Sequence, residues 1–331
     1  MNGSRPLLSR VADALYWTSR YVERAGNVAR YIAVNINLQL DLPLEQRYQW
    51  QPLVETSGGA ELFAARYSEA TQANVIRFLA FDEENPNSLF SCLRAARENA
   101  RSIRETISSV MWEQLNSMYL TLQAQRATDG RALDQPEFDD IRLGTHLFQG
   151  ITDATMTRGE AWHFMRLGRK LERADQTSRI LDVKYFILLP SAQFVGTPYD
   201  DIHWAAVLKS VSGFEMYRKK FGQIAPRNIV DFLVLDLQFP RSVHFCIGCA
   251  DESLHVITGT AQGSFRHQSE RLLGQLRAEL DYAALEHVIK GGLHEYLDAL
   301  QGKVNDIDSS LTNDFVARHS PLLSATGNAQ S

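Results

Sequence analysis

The chain has 331 residues, 44% of them hydrophobic and 22% charged, enough apolar material for a substantial core and too much for a disordered linker. Its 34 basic and 39 acidic side chains leave a net charge of −5, the wrong sign for a protein whose main partner is nucleic acid. The three cysteines, Cys92, Cys246 and Cys249, are too few for a disulfide framework, and no apolar run reaches the ~20 residues of a membrane span. Met1–Arg10 contains no secretory leader, so the expectation is a cytoplasmic protein with no membrane partner.

In chain order, the first element is a helix from Val11 to Leu40. Val11, Leu15, Val22, Ala25, Ala29, Ile32 and Ile36 fall on one stripe at helical spacing. Asp41-Leu42-Pro43 terminates it. Gln123 to Asp140, with Asp129-Gly130 and Gln135-Pro136, reads as a loop. A second long helix begins near Arg158 and ends by Pro190. Ile229 to Leu237 fits a buried strand by periodicity alone, but its neighbours favour a short helix. The small, polar residues 320–331 read as a disordered tail. Alternating strand patterns are scarce, and the expected fold class is all-α.

An internal repeat organises these elements. Arg20-Tyr-Val-Glu23-Arg24-Ala25 is matched by Arg169-Lys-Leu-Glu172-Arg173-Ala174 at an offset of 149, which also pairs Arg30 with Arg179. Beyond Trp50 the offset becomes 154, pairing Trp50 with Trp204, Gly59 with Gly213, Asp82 with Asp236, Ser88 with Ser242 and Cys92 with Cys246. Ile141, Gly144 and His146 pair with Ile289, Gly292 and His294 at an offset of 148. An ordered set of matches with small offset changes at loops implies two copies of one helical unit of about 150 residues. The expectation is a single domain over 1–331, a compact bundle with a pseudo-twofold axis, its repeats spanning about 8–156 and 158–305.

In each long helix the charged residues lie on one arc: Arg20, Glu23, Arg24, Asn27 and Arg30, then Arg169, Glu172, Arg173, Gln176 and Arg179. Spacings of three and four make them helical neighbours. Three readings stand open. The arc is a solvated face, a buried charge network that registers the two halves, or a ligand site in which arginines receive an anion in bidentate geometry. Arg20, Glu23, Arg24, Arg30, Arg169, Glu172, Arg173 and Arg179 are the primary binding candidates. Arg94 to Asn116 adds a second block, with Arg97, Glu98, Arg101, Trp112 and Glu113 as secondary candidates for stacking and anion contact. The alternative for that block is an exposed helix with Trp112 packed inward.

Catalytic motifs are missing. No Gly-x-Gly-x-x-Gly or P-loop follows a strand, and no Gly-x-Ser-x-Gly elbow appears. Glu160-x-x-His163 and Glu252-x-x-His255 have di-metal spacing, but in the other copy Glu98 is followed by Arg101 where His255 would be, and Val11 and Ala14 stand at the places of Glu160 and His163. Cys246-x-x-Cys249 lacks two further ligands and reads as small buried hydrophobes. No catalytic residue, metal or cofactor is assigned.

Four segments together resemble the Alpha-E family, a bacterial helical domain with a recurrent Glu-Arg motif. They are LLSRVADALYWTSRYVERAGNVAR (Leu7–Arg30), RAARENARSIRETISSVMWEQLN (Arg94–Asn116), TRGEAWHFMRLGRKLERADQTSRILDVKY (Thr157–Tyr185) and FPRSVHFCIGCADESLHVITG (Phe239–Gly259). The motif falls on Glu23, Arg24, Glu172 and Arg173. The chain departs from the family pattern at His163 and His244, where Arg is more typical, and at Cys249. The resemblance implies association, by gene neighbourhood, with a circularly permuted ATP-grasp ligase and often with transglutaminase-like proteins. It therefore implies a part in ATP-dependent amide or peptide ligation. The expectation is a non-catalytic accessory that binds a peptide, an anionic small molecule or the ligase itself. The alternatives are an enzyme acting on an amide or acyl intermediate and a pure oligomerisation scaffold.

Overall fold

In a computed structural model, which describes residues 7, 9–41, 50–127, 135–187 and 198–316, every regular element is helical. Helix α1 (Ser9–Asp41) leads into α2 (Gln51–Thr56), α3 (Ala60–Arg66), α4 (Gln72–Ala80), α5 (Leu89–Ser102), α6 (Ser109–Ala127) and α7 (Gln135–Thr155). Helix α8 (Glu160–Ile187) then leads into α9 (Pro198–Ser210), α10 (Phe214–Phe221), α11 (Pro226–Val230), α12 (Val243–Thr258), α13 (Gln268–Asp281), α14 (Leu285–Lys290) and α15 (Leu293–Leu311). Asp231–Leu235 and Thr312–Val316 are π-helical, so the segment Ile229 to Leu237 contributes no strand.

The first long helix forms as its stripe requires, with Leu15, Val22, Ala25, Ala29 and Ile32 all buried. The opposite arc is buried as well: Arg20, Glu23, Asn27 and Arg30 are no more than 4% exposed. A helix apolar on one side and buried on both sits in the centre of the molecule. Helix α1 packs on α5 and α7 along one flank and on α8 along another, while α8 packs on α12 and α15. Close approach of the two long helices requires Gly168, where a Cβ would lie 2.5 Å from the Tyr16 carbonyl oxygen.

Two large apolar cores flank this central pair. One gathers the stripe of α1 with side chains of α2 to α7, and the other gathers α8 with α9 to α15. Each long helix also sends side chains into the opposite core: Tyr16 and Tyr31 from α1, Phe164 and Met165 from α8.

The same local devices occur in both halves. Ser88 caps α5 by accepting from Ser91 N, and Ser242 caps α12 by accepting from Phe245 N. The Asp82 carboxylate accepts from Glu84 N and Arg66, and the Asp236 carboxylate accepts from Gln238 N and Lys220. The Cys92 thiol donates to Pro86 O and the Cys246 thiol to Pro240 O. Gly59 and Gly213 lie so close to phenylalanine rings that a Cβ on either would stand 2.8 Å from Phe78 or Phe239.

Several expectations need correction. The stretch Gln123 to Asp140 is mostly helical, because α6 continues to Ala127 and α7 starts at Gln135; only 128–134 separates them, outside the described residues. Arg94 to Asn116 is not one helix, since α5 ends at Ser102 and α6 begins at Ser109. The boundary near 305 falls inside α15, which the core residues Ile307 and Leu311 extend. His146 and His294 do not occupy matching places: His146 is in the middle of α7, whereas His294 is in the first turn of α15, its Nδ1 2.8 Å from Asp182 Oδ1. Pro43, Pro190 and the tail 320–331 lie outside the described residues.

Candidate functional site

The contact between α1 and α8 carries the charged motif, and the pairing is crossed. Glu172 of α8 is gripped by arginines of α1. Arg24 donates from Nε (2.6 Å) and Nη2 (2.8 Å) to its two oxygens, and Arg20 Nε adds a bond of 2.9 Å. Glu23 of α1 is gripped from the other side by Arg173 of α8, through Nε (2.9 Å) and Nη2 (2.8 Å). Bidentate guanidinium–carboxylate pairing fixes both distance and angle, so two such clamps set the register of the helices.

Each end then recruits further groups. At the Glu172 end, Arg20 also meets Asp308 of α15 at 2.6 Å, and Arg24 Nη1 donates to Asn87 Oδ1 at 2.7 Å. Arg179 pairs with Asp175, one turn earlier on α8, at 2.9 Å. At the Glu23 end, Arg241 Nη1 donates to Glu23 Oε1 (2.7 Å) and to Asn27 Oδ1 (3.1 Å), and Gln149 Nε2 donates to Glu23 Oε2 (2.7 Å). Arg30, 3% exposed, has only Asn27 Oδ1 as its acceptor, at 2.7 Å, and its Nε has no partner among the described residues. Arg169 reaches Asp153 at 3.7 Å, and its Nε too lacks a partner.

Burial alone would push both carboxyl groups up. The arginines overcome this: Arg24 and Arg20 hold Glu172 down at about 2, and Arg173 and Arg241 hold Glu23 well below the usual carboxylate range. Both are ionised at neutral pH and surrounded by donors, which makes them poor general acids or bases. The arginines divide. Arg24 and Arg173, although burial opposes it, are held more firmly charged by their glutamates. Arg30, Arg169 and Arg241 move the other way: burial disfavours their charge, and neighbouring guanidinium groups add to the effect. His146, half-buried on α7, is pushed down to about 4 by burial and then by Arg30 and Arg241.

Five of the eight primary candidates, Arg20, Glu23, Arg24, Glu172 and Arg173, bond across the α1/α8 contact, whereas Arg30, Arg169 and Arg179 bond to Asn27, Asp153 and Asp175 instead. The solvated-face reading is overturned for the arc of α1, whose Glu23 and Arg30 are 2% and 3% exposed. Sequence reasoning missed Arg241, Asn87, Gln149 and Asp308, which come from other helices. The secondary candidates form a separate cluster on α5 and α6. Arg97 donates to Asn116 (2.7 Å) and pairs with Glu98, Arg101 pairs with the same Glu98, and Glu113 is exposed. The half-buried Trp112 ring packs on the first core under the guanidinium groups of Arg97 and Arg104, at 5.5 and 4.9 Å. Among the described residues no group of three His, Cys, Asp or Glu side chains is arranged to hold a metal. Glu160 accepts from Leu7 N, Glu252 pairs with Arg166, and the three cysteines are buried and free. No described helix is long and apolar enough to cross a membrane.

Comparison with known proteins agrees with the motif. Uncharacterized proteins of Mycobacterium bovis and of two strains of Mycobacterium tuberculosis are each 21% identical over 330 residues, which covers 92% of this chain. The chain spans only 36% of the length of these relatives. No solved structure matches it. The Alpha-E family model, a predicted alpha-helical domain with a conserved ER motif, matches residues 7–316, and the Glu23-Arg24 and Glu172-Arg173 pairs at the α1/α8 contact lie inside that match. The protein belongs to the Alpha-E family.

Proposed function

We propose that this chain is a tandem duplication of one helical unit and works as a non-catalytic module of an ATP-dependent amide- or peptide-ligation system. The repeats meet at the α1/α8 contact, about a pseudo-twofold axis, with the second extending through Val316. The paired caps, Asp turns, thiol bonds and glycine–phenylalanine contacts of the two halves support the duplication. The observation that carries the functional reading is the saturation of Glu23 and Glu172 by arginines. It leaves the glutamates as internal fasteners and the arginines without carboxylates as the groups able to receive an anion.

The partner in this reading is an ATP-grasp-type ligase, alone or with a transglutaminase-like protein, as the family resemblance implies. The anionic ligand is that partner's peptide substrate or a phosphorylated or adenylated intermediate. Because the matched segment is a minority of each mycobacterial relative, the unit occurs there beside much additional polypeptide, which supports a module acting with another. The net charge of −5 argues for such a setting over nucleic acid, and the setting proposed is cytoplasmic.

The test is co-purification with a candidate ATP-grasp ligase, followed by ATP-dependent amide formation with and without this chain. The expected result is a stable complex whose turnover depends on the chain. Full activity of the ligase alone overturns the reading, and turnover of amide or acyl substrates by the isolated chain favours the enzyme instead.

A further inference from the structure

The two ends of the α1/α8 contact are not equally balanced. At the Glu172 end, Arg20, Arg24 and Arg179 face Glu172, Asp175 and Asp308. At the Glu23 end, Arg173 and Arg241 share Glu23, Arg30 reaches only the neutral Asn27, and Arg169 has only the distant oxygen of Asp153 among the described residues. Two exchanges create the difference. The residue four before Arg179 is Asp175, whereas the residue four before Arg30 is Gly26. Asn87, the neutral acceptor of Arg24, has as its counterpart the charged Arg241. An internal carboxylate has no room at position 26, because a Cβ there would stand 2.5 Å from Thr145 Oγ1.

The surplus is concentrated at one atom. Arg30 Nη1 and Arg241 Nη1 both donate to Asn27 Oδ1, at 2.7 and 3.1 Å, so two buried cations share one neutral oxygen. Arg30 Nε and Asn27 Nδ2 are buried donors without an acceptor among the described residues. Unpaired buried donors and like charges are both costly, and one compact anion relieves both.

We infer that the Glu23 end is an anion-binding subsite, in which Arg30, Arg241 and Asn27 receive a single phosphate or carboxylate group. Arg30 and Asn27 are 3% and 2% exposed, so the ligand is either a small free oxyanion or the terminal group of a longer one. His146, half-buried on α7, lies near enough to feel the charges of Arg30 and Arg241. The inference deepens the proposed function by naming the residues and the chemical class, and it rests on that reading only for the ligand's origin.

The experiment is thermal melting of the full chain in sodium phosphate, sodium acetate and sodium chloride at equal ionic strength. A saturable rise in Tm of several degrees with phosphate or acetate, beyond that in chloride, is expected from binding to the folded state; which of the two acts separates phosphate from carboxylate. Asn27→Asp places a carboxylate oxygen where both arginines already donate. It should raise Tm in chloride and abolish the response to added anion. Arg30→Met removes one of the two cations and should abolish the response without adding charge, so it decides the matter if Asn27→Asp fails to fold. Equal stabilisation by chloride, or a full response retained in Arg30→Met, overturns the inference. The anion response and the ligase assay fail separately. A chain that supports ligation but shows no specific anion response keeps its proposed function and loses this subsite; a chain with the response and no effect on the ligase does the reverse.

Discussion

The Glu172 and Glu23 ends of the central helix pair are built from the same parts, yet they differ in what balances their arginines. At the Glu172 end each of Arg20, Arg24 and Arg179 has a carboxylate within 2.9 Å. At the Glu23 end Arg30 has none among the described residues, and Arg169 reaches its carboxylate only at 3.7 Å. Identical motif letters thus do two jobs. Balanced charge fastens, and unbalanced charge leaves capacity for something negative. The difference comes from neighbours outside the motif, Asp175 against Gly26 and Asn87 against Arg241.

The largest expected effect follows from breaking the fasteners. Glu172→Gln strands Arg24 in a buried site, leaves Arg20 with Asp308 alone, and should cost about 3–5 kcal/mol, the usual penalty for removing one member of a buried ion pair. Glu23→Gln should cost about 1–2 kcal/mol more, because Arg173 and Arg241, with Arg30 close by, then have no carboxylate within hydrogen-bond reach among the described residues. Urea unfolding of each single variant measures the difference. Equal losses at the two ends would remove the asymmetry. The double variant should not fold cooperatively, so a binding assay with it would be uninformative.

Next in size is helix separation. Gly168→Ala drives a methyl group to 2.5 Å from the backbone oxygen of Tyr16, which cannot move aside, and should destabilise by about 1–3 kcal/mol. Gly26→Ala meets the Thr145 hydroxyl at the same distance, but a side chain can rotate, and alanine favours the helix by about 1 kcal/mol. Its net loss should be smaller. Denaturant midpoints of the two variants test the order, and a reversal would mean that Thr145 is as rigid as backbone.

Acid should act on both ends, in different windows. His146 titrates at about 4 in the folded chain against an ordinary value near 6.5. The unfolded chain therefore binds the proton first, and stability falls as pH drops from about 6.5 toward 4. Glu172 contributes stability present above its ordinary value and lost only as pH falls from about 4.3 toward about 2. Melting between pH 7 and pH 4.5 should show a decline that His146→Asn reduces and that leaves the Glu172 fastener intact. A decline unchanged in His146→Asn would place its source elsewhere.

The fold class was legible because helix periodicity is local, and the recurring motif was legible because both occurrences keep the same spacing. Burial of the charged arc was not. A face carrying Arg20, Glu23, Arg24 and Arg30 has the composition of a solvated surface, and only an oppositely charged partner from α8 makes its burial affordable. Crossed pairing is likewise a property of how two helices meet. Arg241 is 218 residues from Glu23, a contact that no spacing rule reaches. The match of residue 87 with residue 241 did hold a signal, since a neutral residue stands opposite a cation there. The pairing of His146 with His294 misled because three coincident letters, all within α7 in one half but spread over α14, the turn at Gly292 and α15 in the other, carry little register information.

The smallest expected effect lies away from the central pair and checks whether burial, not residue type, separates the two kinds of cluster. Arg97 has the same vocabulary of partners as the buried arginines: a carboxylate in Glu98, an amide in Asn116, and the rings of Trp112 and Tyr119 at 5.5 and 5.0 Å. Its glutamate is exposed, so water screens the ion pair, and cation–π contacts at such sites contribute about 0.5–1 kcal/mol. Arg97→Ala should therefore cost about 1 kcal/mol or less, leave the anion response unchanged, and shift Trp112 fluorescence as its cover is removed. A loss comparable to that of Glu172→Gln, or loss of the anion response, would move the functional centre from the α1/α8 contact to the α5/α6 surface.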